Sequence, residues 1–187
     1  NNLEKGDNVE KIVGADKDGY YTLKTTKAGA LILEYFNGAT NTIESSKELL
    51  MPSVQGTQTE FLKLYFLSGQ LILFTQLFDN NRKQQVCYVQ YINKDGTLNN
   101  KPKEIGMVPP FKNQESFNFK LSEDQTKILM YYFKYFTKYG SELFTFKIFD
   151  ATLTELYNKN VEMPFKDREF TVEKYLLGKS NDIYMLV

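Results

Sequence analysis

Apolar residues in this chain gather in short, dense runs: Ala30-Leu31-Ile32-Leu33, Leu71-Ile72-Leu73-Phe74 and Ile128-Leu129-Met130-Tyr131-Tyr132-Phe133. A strand buried on one face alternates apolar and polar residues, whereas a strand covered on both faces reads as a continuous apolar run. These runs are too short and too rich in β-branched and aromatic residues for helices. They predict strands sandwiched between two layers.

Each dense run is preceded by a shorter candidate strand and a tight turn. First strands are expected near Val9, Phe61, Phe117 and Val172, and second strands near Tyr20, Leu71, Ile128 and Ile183. Turn-forming residues separate them: Asp16-Lys17-Asp18-Gly19, Ser68-Gly69, Ser122-Glu123-Asp124-Gln125 and Ser180-Asn181-Asp182. Such clusters between short β-type runs read as hairpins. Third strands near Leu31, Cys87 and Leu143 run into the polar turns Asn37-Gly38-Ala39, Asn93-Lys94-Asp95-Gly96 and Asp150-Ala151-Thr152. A polar fourth strand follows near Thr42 to Ser46, Lys103 to Met107 and Tyr157 to Met163. Polar character suits an outer edge, where it discourages pairing with other chains. Proline then closes each unit, at Met51-Pro52, Met107-Val108-Pro109 and Met163-Pro164, because it cannot donate to a ladder.

The units recur at a fixed period. Leu31, Cys87 and Leu143 are 56 residues apart, as are Met51, Met107 and Met163. A period of this size marks a repeat architecture. The expected fold is an all-β, partial β-propeller of four-stranded antiparallel blades. Blade 1 covers about 8–52, blade 2 about 60–109, blade 3 about 116–164, and a fourth starts at about 170–187. Val9-Glu10-Lys11 echoes Val172-Glu173-Lys174, and the chain stops on the apolar run Ile183-Tyr184-Met185-Leu186-Val187. Closed rings take about four to eight blades, so a segment of a longer chain is expected. Tandem β-sandwich domains are the competing architecture, and they would show strands pairing across two stacked sheets.

Composition narrows the chemistry. The 15 Phe and 13 Tyr favour strands, and the 23 basic and 23 acidic residues cancel. That balance removes the footprint of a nucleic-acid binder, and no apolar run reaches the length of a membrane helix. Without histidine, no His-based acid–base chemistry, His-activated nucleophile or His-ligated metal can arise within these residues. Cys87 is the single cysteine; inside Val86-Cys87-Tyr88-Val89 it is expected to pack as a small hydrophobe. Asp16-Lys17-Asp18-Gly19 invites a calcium reading, yet Tyr20 and Lys27 stand where an EF-hand loop needs ligands. A plain turn is expected there, and no cofactor or metal is implied. Glu142, Asp150 and Glu155 are close in sequence, with nothing to make two of them converge as a glycosidase pair.

The third unit carries a family likeness. Phe117-Asn118-Phe119-Lys120-Leu121-Ser122-Glu123-Asp124-Gln125-Thr126-Lys127-Ile128-Leu129 resembles the inner hairpin of WD-repeat-like and TolB-type propeller blades. That family runs aromatic, spacer, Ser-Pro-Asp-Gly-Lys and an apolar strand, and Ser122, Asp124, Lys127 and Ile128 hold matching positions. Glu123 replaces its Pro, Gln125 its Gly, and one residue is added; the Gly-His and Trp-Asp marks of true WD repeats are missing. The Lys-, Asn- and aromatic-rich style also resembles envelope propellers of Bacteroidetes-type bacteria. The likeness implies a fold and a habit of binding, with a periplasmic or cell-surface location.

Unit length points to a face. The interval from second to third strand is 11 residues in the first unit, 16 in the second and 15 in the third. Per-repeat insertions map to loops on one face, often the binding face, although simple loop drift gives the same pattern. This face would carry Asp79, Arg82, Lys83, Lys138 and Tyr139, with Lys166, Asp167 and Arg168 from the blade-to-blade crossover. The aromatic stretch Tyr131 to Tyr139 reads as a long strand packed on both faces, its distal end available to a partner. The expected function is a non-catalytic binding or scaffold module for a protein or glycan partner in the envelope. The alternative is the propeller of a hydrolase, glycosidase or peptidase, with catalytic residues partly outside these residues.

Overall fold

The computed structural model describes residues 8–110, 116–135, 141–166, 172 and 174–186. Among them the chain is all-β. The first sheet is a meander of β1 (Asn8–Ala15), β2 (Gly19–Thr25), β3 (Leu31–Asn37) and β4 (Ile43–Glu48). A small hairpin follows, β5 (Ser53–Val54) with β6 (Thr57–Gln58). The second sheet holds β7 (Glu60–Leu67), β8 (Gln70–Asp79), β9 (Gln84–Ile92) and β10 (Lys103–Val108). The third holds β11 (Asn118–Leu121), β12 (Lys127–Tyr135), β13 (Ser141–Asp150) and β14 (Glu155–Lys166). β15 (Lys174–Leu177) and β16 (Ile183–Leu186) form a last antiparallel hairpin. Every four-stranded sheet uses four consecutive strands, the arrangement expected of blade-like repeats. No strand crosses from one of these sheets into another.

Contacts divide the chain into two compact units. One contains Leu77 and the strands before it, with Tyr88–Ile105; the other contains Phe78–Cys87 and the strands from Gly106 onward. In the first unit, Val13, Tyr21, Leu23 and Leu33 of the first sheet pack against Leu64, Phe66, Leu71, Leu73 and Ile92 of the second. In the other unit, Leu129, Tyr131, Phe144, Phe146 and Ile148 of the third sheet pack with Tyr175 and Leu177 of β15. Tyr131 and Tyr175 bring their ring centroids to 4.1 Å. The dense runs behave as their pattern demands: Leu71, Ile72, Leu73 and Phe74 are all buried, although successive residues point to opposite faces.

First strands lie side by side. β1 runs beside β7 in the first unit, and β11 beside β15 in the other, where Ser122 and Leu177 form a parallel bridge. Close approach of β1 to β7 depends on Gly14, which sits at a register shift of β1. A Cβ there would lie 2.6 Å from Cβ of Phe66.

Turns carry the left-handed residues. Ser68 and Gly69, with φ of 49° and 80°, make the two-residue turn that matches strand twist, and Gln55 with Gly56 repeats it between β5 and β6. The polar turns after β9 and β13 share one geometry, Asn93 and Asp150 donating their amides to the Thr97 and Thr154 carbonyls, and the turn after β3 is one residue longer, Asn37 donating to the Thr42 carbonyl. Each turn has a left-handed residue, namely Asn41, Gly96 and Leu153. Leucine at φ 59° is costly, yet Leu153 is only 7% exposed. Burying its side chain stabilises by about 2 kcal/mol, against about 1–2 kcal/mol for the backbone.

Two expectations need correction. Pro164 does not end the fourth strand of the third sheet: β14 runs on to Lys166, and the proline falls at the register shift between the Leu143–Glu162 and Ser141–Lys166 pairs. An irregularity on an edge strand tolerates the missing N–H. The three equally spaced methionines differ in burial: Met163 is buried, Met51 half-buried and Met107 exposed, while Val108 is buried in β10. Lastly, the longer interval in the second unit is not loose loop. β8 and β9 are 10 and 9 residues long, against 7 each for β2 and β3, so the added residues lengthen a paired hairpin.

Two substitutions test this packing. Gly14→Ala is expected to cost about 1–3 kcal/mol in urea unfolding, because β1 and β7 must part. At position 153 the usual order of Ala above Gly should invert. Leu153→Ala loses the buried side chain and keeps the left-handed strain, whereas Leu153→Gly loses only the side chain, so Gly should be more stable by about 1 kcal/mol. Equal stabilities, or the ordinary order, would contradict the strain assignment.

Candidate functional site

The β8–β9 hairpin tip holds three of the residues singled out from sequence. The Asp79 carboxylate accepts hydrogen bonds from the backbone N–H groups of Asn81 and Arg82 at 2.8 and 3.0 Å. Its other oxygen accepts from Nε of Arg82 at 2.7 Å. The Arg82 backbone amide, then its side chain, holds the Asp79 carboxyl below the usual carboxylate range. Asp79 is therefore a turn-forming residue that orients Arg82. Lys83 is exposed with φ of 55°, the left-handed residue that returns the chain into β9. Lys166 is the last residue of β14, and its backbone pairs with Ser141. Lys138, Tyr139, Asp167 and Arg168 lie outside the described residues.

A second polar centre was not legible as one. In the first unit, the Asp16 carboxylate caps its own turn by accepting from the amides of Asp18 and Gly19, each at 3.0 Å. Oδ1 also accepts from the Tyr35 hydroxyl at 2.9 Å, and Oδ2 from Nζ of Lys94 at 2.9 Å. Lys94 belongs to the turn after β9, which also brings Asp95 to 3.8 Å from Lys47 of β4. The Lys94 ammonium, aided by Tyr35 and the two amides, lowers the Asp16 pKa to about 2 against the cost of burial. Burial first, then the Asp16 charge, pushes the Tyr35 hydroxyl up to about 12. Both turns were visible in sequence as separate Asp-Gly turns, but 78 residues part Asp16 from Lys94. No local pattern announces such a pair.

With four donors on one carboxylate, Asp16 is engaged as a turn anchor and inter-strand ion pair. Among the described residues, no group of three or more His, Cys, Asp or Glu side chains could hold a metal ion. Cys87 is fully buried, and burial pushes its thiol well above the ordinary range, as a packed hydrophobe requires. The turn before β12 repeats the Asp theme. Ser122 Oγ donates to Asp124 at 2.7 Å, and the amides of Thr126 and Lys127 donate to Ser122 Oγ at 3.1 and 3.0 Å. Gln125, standing where the propeller motif has Gly, has φ of 52°. Among the described residues, no helix is long and apolar enough to cross a membrane.

No family model matches the chain, and no curated protein matches it. Among solved structures, an endo-arabinase from Bacteroides thetaiotaomicron VPI-5482 is similar, with a TM-score of 0.48 and 13% identity. That match covers 91% of this chain and 66% of the arabinase chain, so this chain spans about two thirds of its length. The arabinase's activity is a property of that protein.

Asp16 gives a pH signature. Its folded-state pKa is depressed, so its contribution is complete above the unfolded value near ~4 and is lost as pH falls toward about 2. Asp16→Asn keeps an acceptor for the turn amides and removes the charge. It should cost about 1 kcal/mol at neutral pH, a modest figure because Lys94 faces solvent. The gap between wild type and variant should close between pH 5 and pH 2 in urea titrations. A gap that stays constant with pH would remove the ionic part of this account.

Proposed function

We propose that this chain is a β-propeller segment that works as a non-catalytic binding or scaffold module, for a protein or glycan partner in the cell envelope. The observation that carries this reading is the repeated sheet. Four consecutive strands make each four-stranded sheet, and first strand lies beside first strand at β1–β7 and at β11–β15. Blades set around an axis would bring their first strands together in this way, which supports the reading. The proposed blades cover about 8–52, about 60–109 and about 116–164, with the start of another at about 170–187.

Charge supports binding over catalysis. Each described carboxylate with a resolved shift moves downward: Asp16, Asp79, Asp95, Asp124 and Asp150. Turn hydrogen bonds are common to all five. A carboxylic acid acting as proton donor needs the opposite, a value raised toward neutrality. These five are tuned to hold turns.

The proposed working face is the lengthened second-to-third-strand hairpin and the neighbouring crossover, carrying Asp79, Arg82, Lys83, Lys138, Tyr139, Lys166, Asp167 and Arg168. Asp79 fixes the turn there, and Arg82 and Lys83 present cationic groups. The hydrolase reading places catalytic residues partly outside this chain.

Binding assays against an envelope extract and a glycan panel test the proposal. Lys83→Ala combined with Tyr139→Ala should lower partner recovery at least tenfold while leaving the unfolding midpoint unchanged. Equal recovery sinks the assigned face, and turnover of any glycan or peptide in the panel decides for the hydrolase.

A further inference from the structure

One position of the repeat is polar in all three four-stranded sheets, buried in the first two and half-buried in the third. It lies three residues before the turn residue Asn37, Asn93 or Asp150, and it holds Glu34, Gln90 and Lys147. These are third-strand residues of β3, β9 and β13, and in each the turn residue's amide donates to a threonine carbonyl, five residues on in the first sheet and four in the others. A polar group inside a packed strand needs a partner, and two of the three have an ionic one.

In the first sheet, Nζ of Lys24 lies 3.0 Å from Oε1 of Glu34, with side-chain exposures of 14% and 6%. Ser46 Oγ donates to the same oxygen at 3.1 Å. In the third sheet, Nζ of Lys147 lies 3.1 Å from Oε2 of Glu155. In each, a neighbouring strand, β2 or β14, supplies the opposite charge. Gln90 is the exception. It is 1% exposed, and neither Oε1 nor Nε2 has a hydrogen-bond partner among the described protein groups. A carboxamide offers two donors and an acceptor oxygen, and leaving all of them unmet in an apolar core carries the full desolvation penalty.

We propose that Gln90 holds one ordered internal water molecule, which supplies the polar partner that Lys24 gives Glu34 in the first sheet and Glu155 gives Lys147 in the third. The chemistry selects water over an ion. Gln90 is neutral, so it gives a buried cation or anion no countercharge. A water molecule donates to Oε1 or accepts from Nε2, and its remaining bonds reach backbone groups of the surrounding strands. Buried waters of this kind occur about once per 27 residues and persist as structural parts of a core.

A crystal structure of the full 187-residue chain, at a resolution that shows ordered solvent, tests this directly. The expected result is a water within hydrogen-bond distance of Oε1 or Nε2 of Gln90. A carboxamide that bonds a protein group, or that meets no water, overturns the proposal. Stability gives the second arm. Gln90→Met keeps shape and removes the amide, so if water satisfies the amide, the folding equilibrium constant should fall or stay within about threefold. A rise beyond threefold means the amide was dry and the water absent. If the variant does not fold, the crystallographic arm decides alone.

Discussion

Covering both faces of the inner strands is the constraint on which the rest of the structure depends. A strand such as Leu71-Ile72-Leu73-Phe74 sends bulky apolar side chains to both sides of its sheet, and burial of each is worth about 1.5–3 kcal/mol. Packing one face against a core and leaving the other in water would forfeit half of that. The sheets therefore need neighbours on both sides. The apolar clusters of each unit show the result, with Tyr21 and Leu23 set against Leu64 and Phe66, and Leu129 and Tyr131 set against Tyr175. Gly14 is the local concession to this demand, a missing Cβ where the first strands come closest.

Turns take up the polar chemistry that strands cannot carry. Asp16, Asp79, Asp95, Asp124 and Asp150 all accept amides or hydroxyls of their own turns, and all are more acidic for it. Their charge is committed to shaping the chain. Under the proposed function, partner recognition would then fall to side chains of the β8–β9 tip such as Lys83, and to aromatic positions. The same economy governs the sheet interiors, where the repeat keeps a polar residue and supplies a partner for it from a neighbouring strand. At Gln90 no described side chain takes that part.

Much of the fold was legible because the signals are local. Strand starts expected near Val9, Tyr20, Leu31, Phe61, Leu71, Ile128 and Ile183 fall within one residue of those observed. Turn chemistry at Ser68-Gly69 and Asp16-Gly19 needs only nearest neighbours to be read. A strand end was misread where a local rule met an edge: Pro164 was expected to stop the fourth strand, but a register shift on an edge strand accommodates it and β14 continues to Lys166. The β5–β6 hairpin escaped notice because Gln55 is an unusual residue for a left-handed turn position.

Sequence alone therefore determined the strand order, the turn positions, the repeat and the exclusion of histidine chemistry, since each depends on residue type and short spacing. The tertiary structure decided which polar residues are engaged and which face each side chain takes. Asp16 and Lys94 are 78 residues apart and meet only because the β1–β2 turn and the turn after β9 are brought together. Glu34, Gln90 and Lys147 stand at one offset before their turns, but only the structure shows that Glu34 and Lys147 meet ionic partners while Gln90 meets none among the described residues. Long-range electrostatics and burial depend on how sheets stack, and stacking is a property of the whole chain that no short window contains.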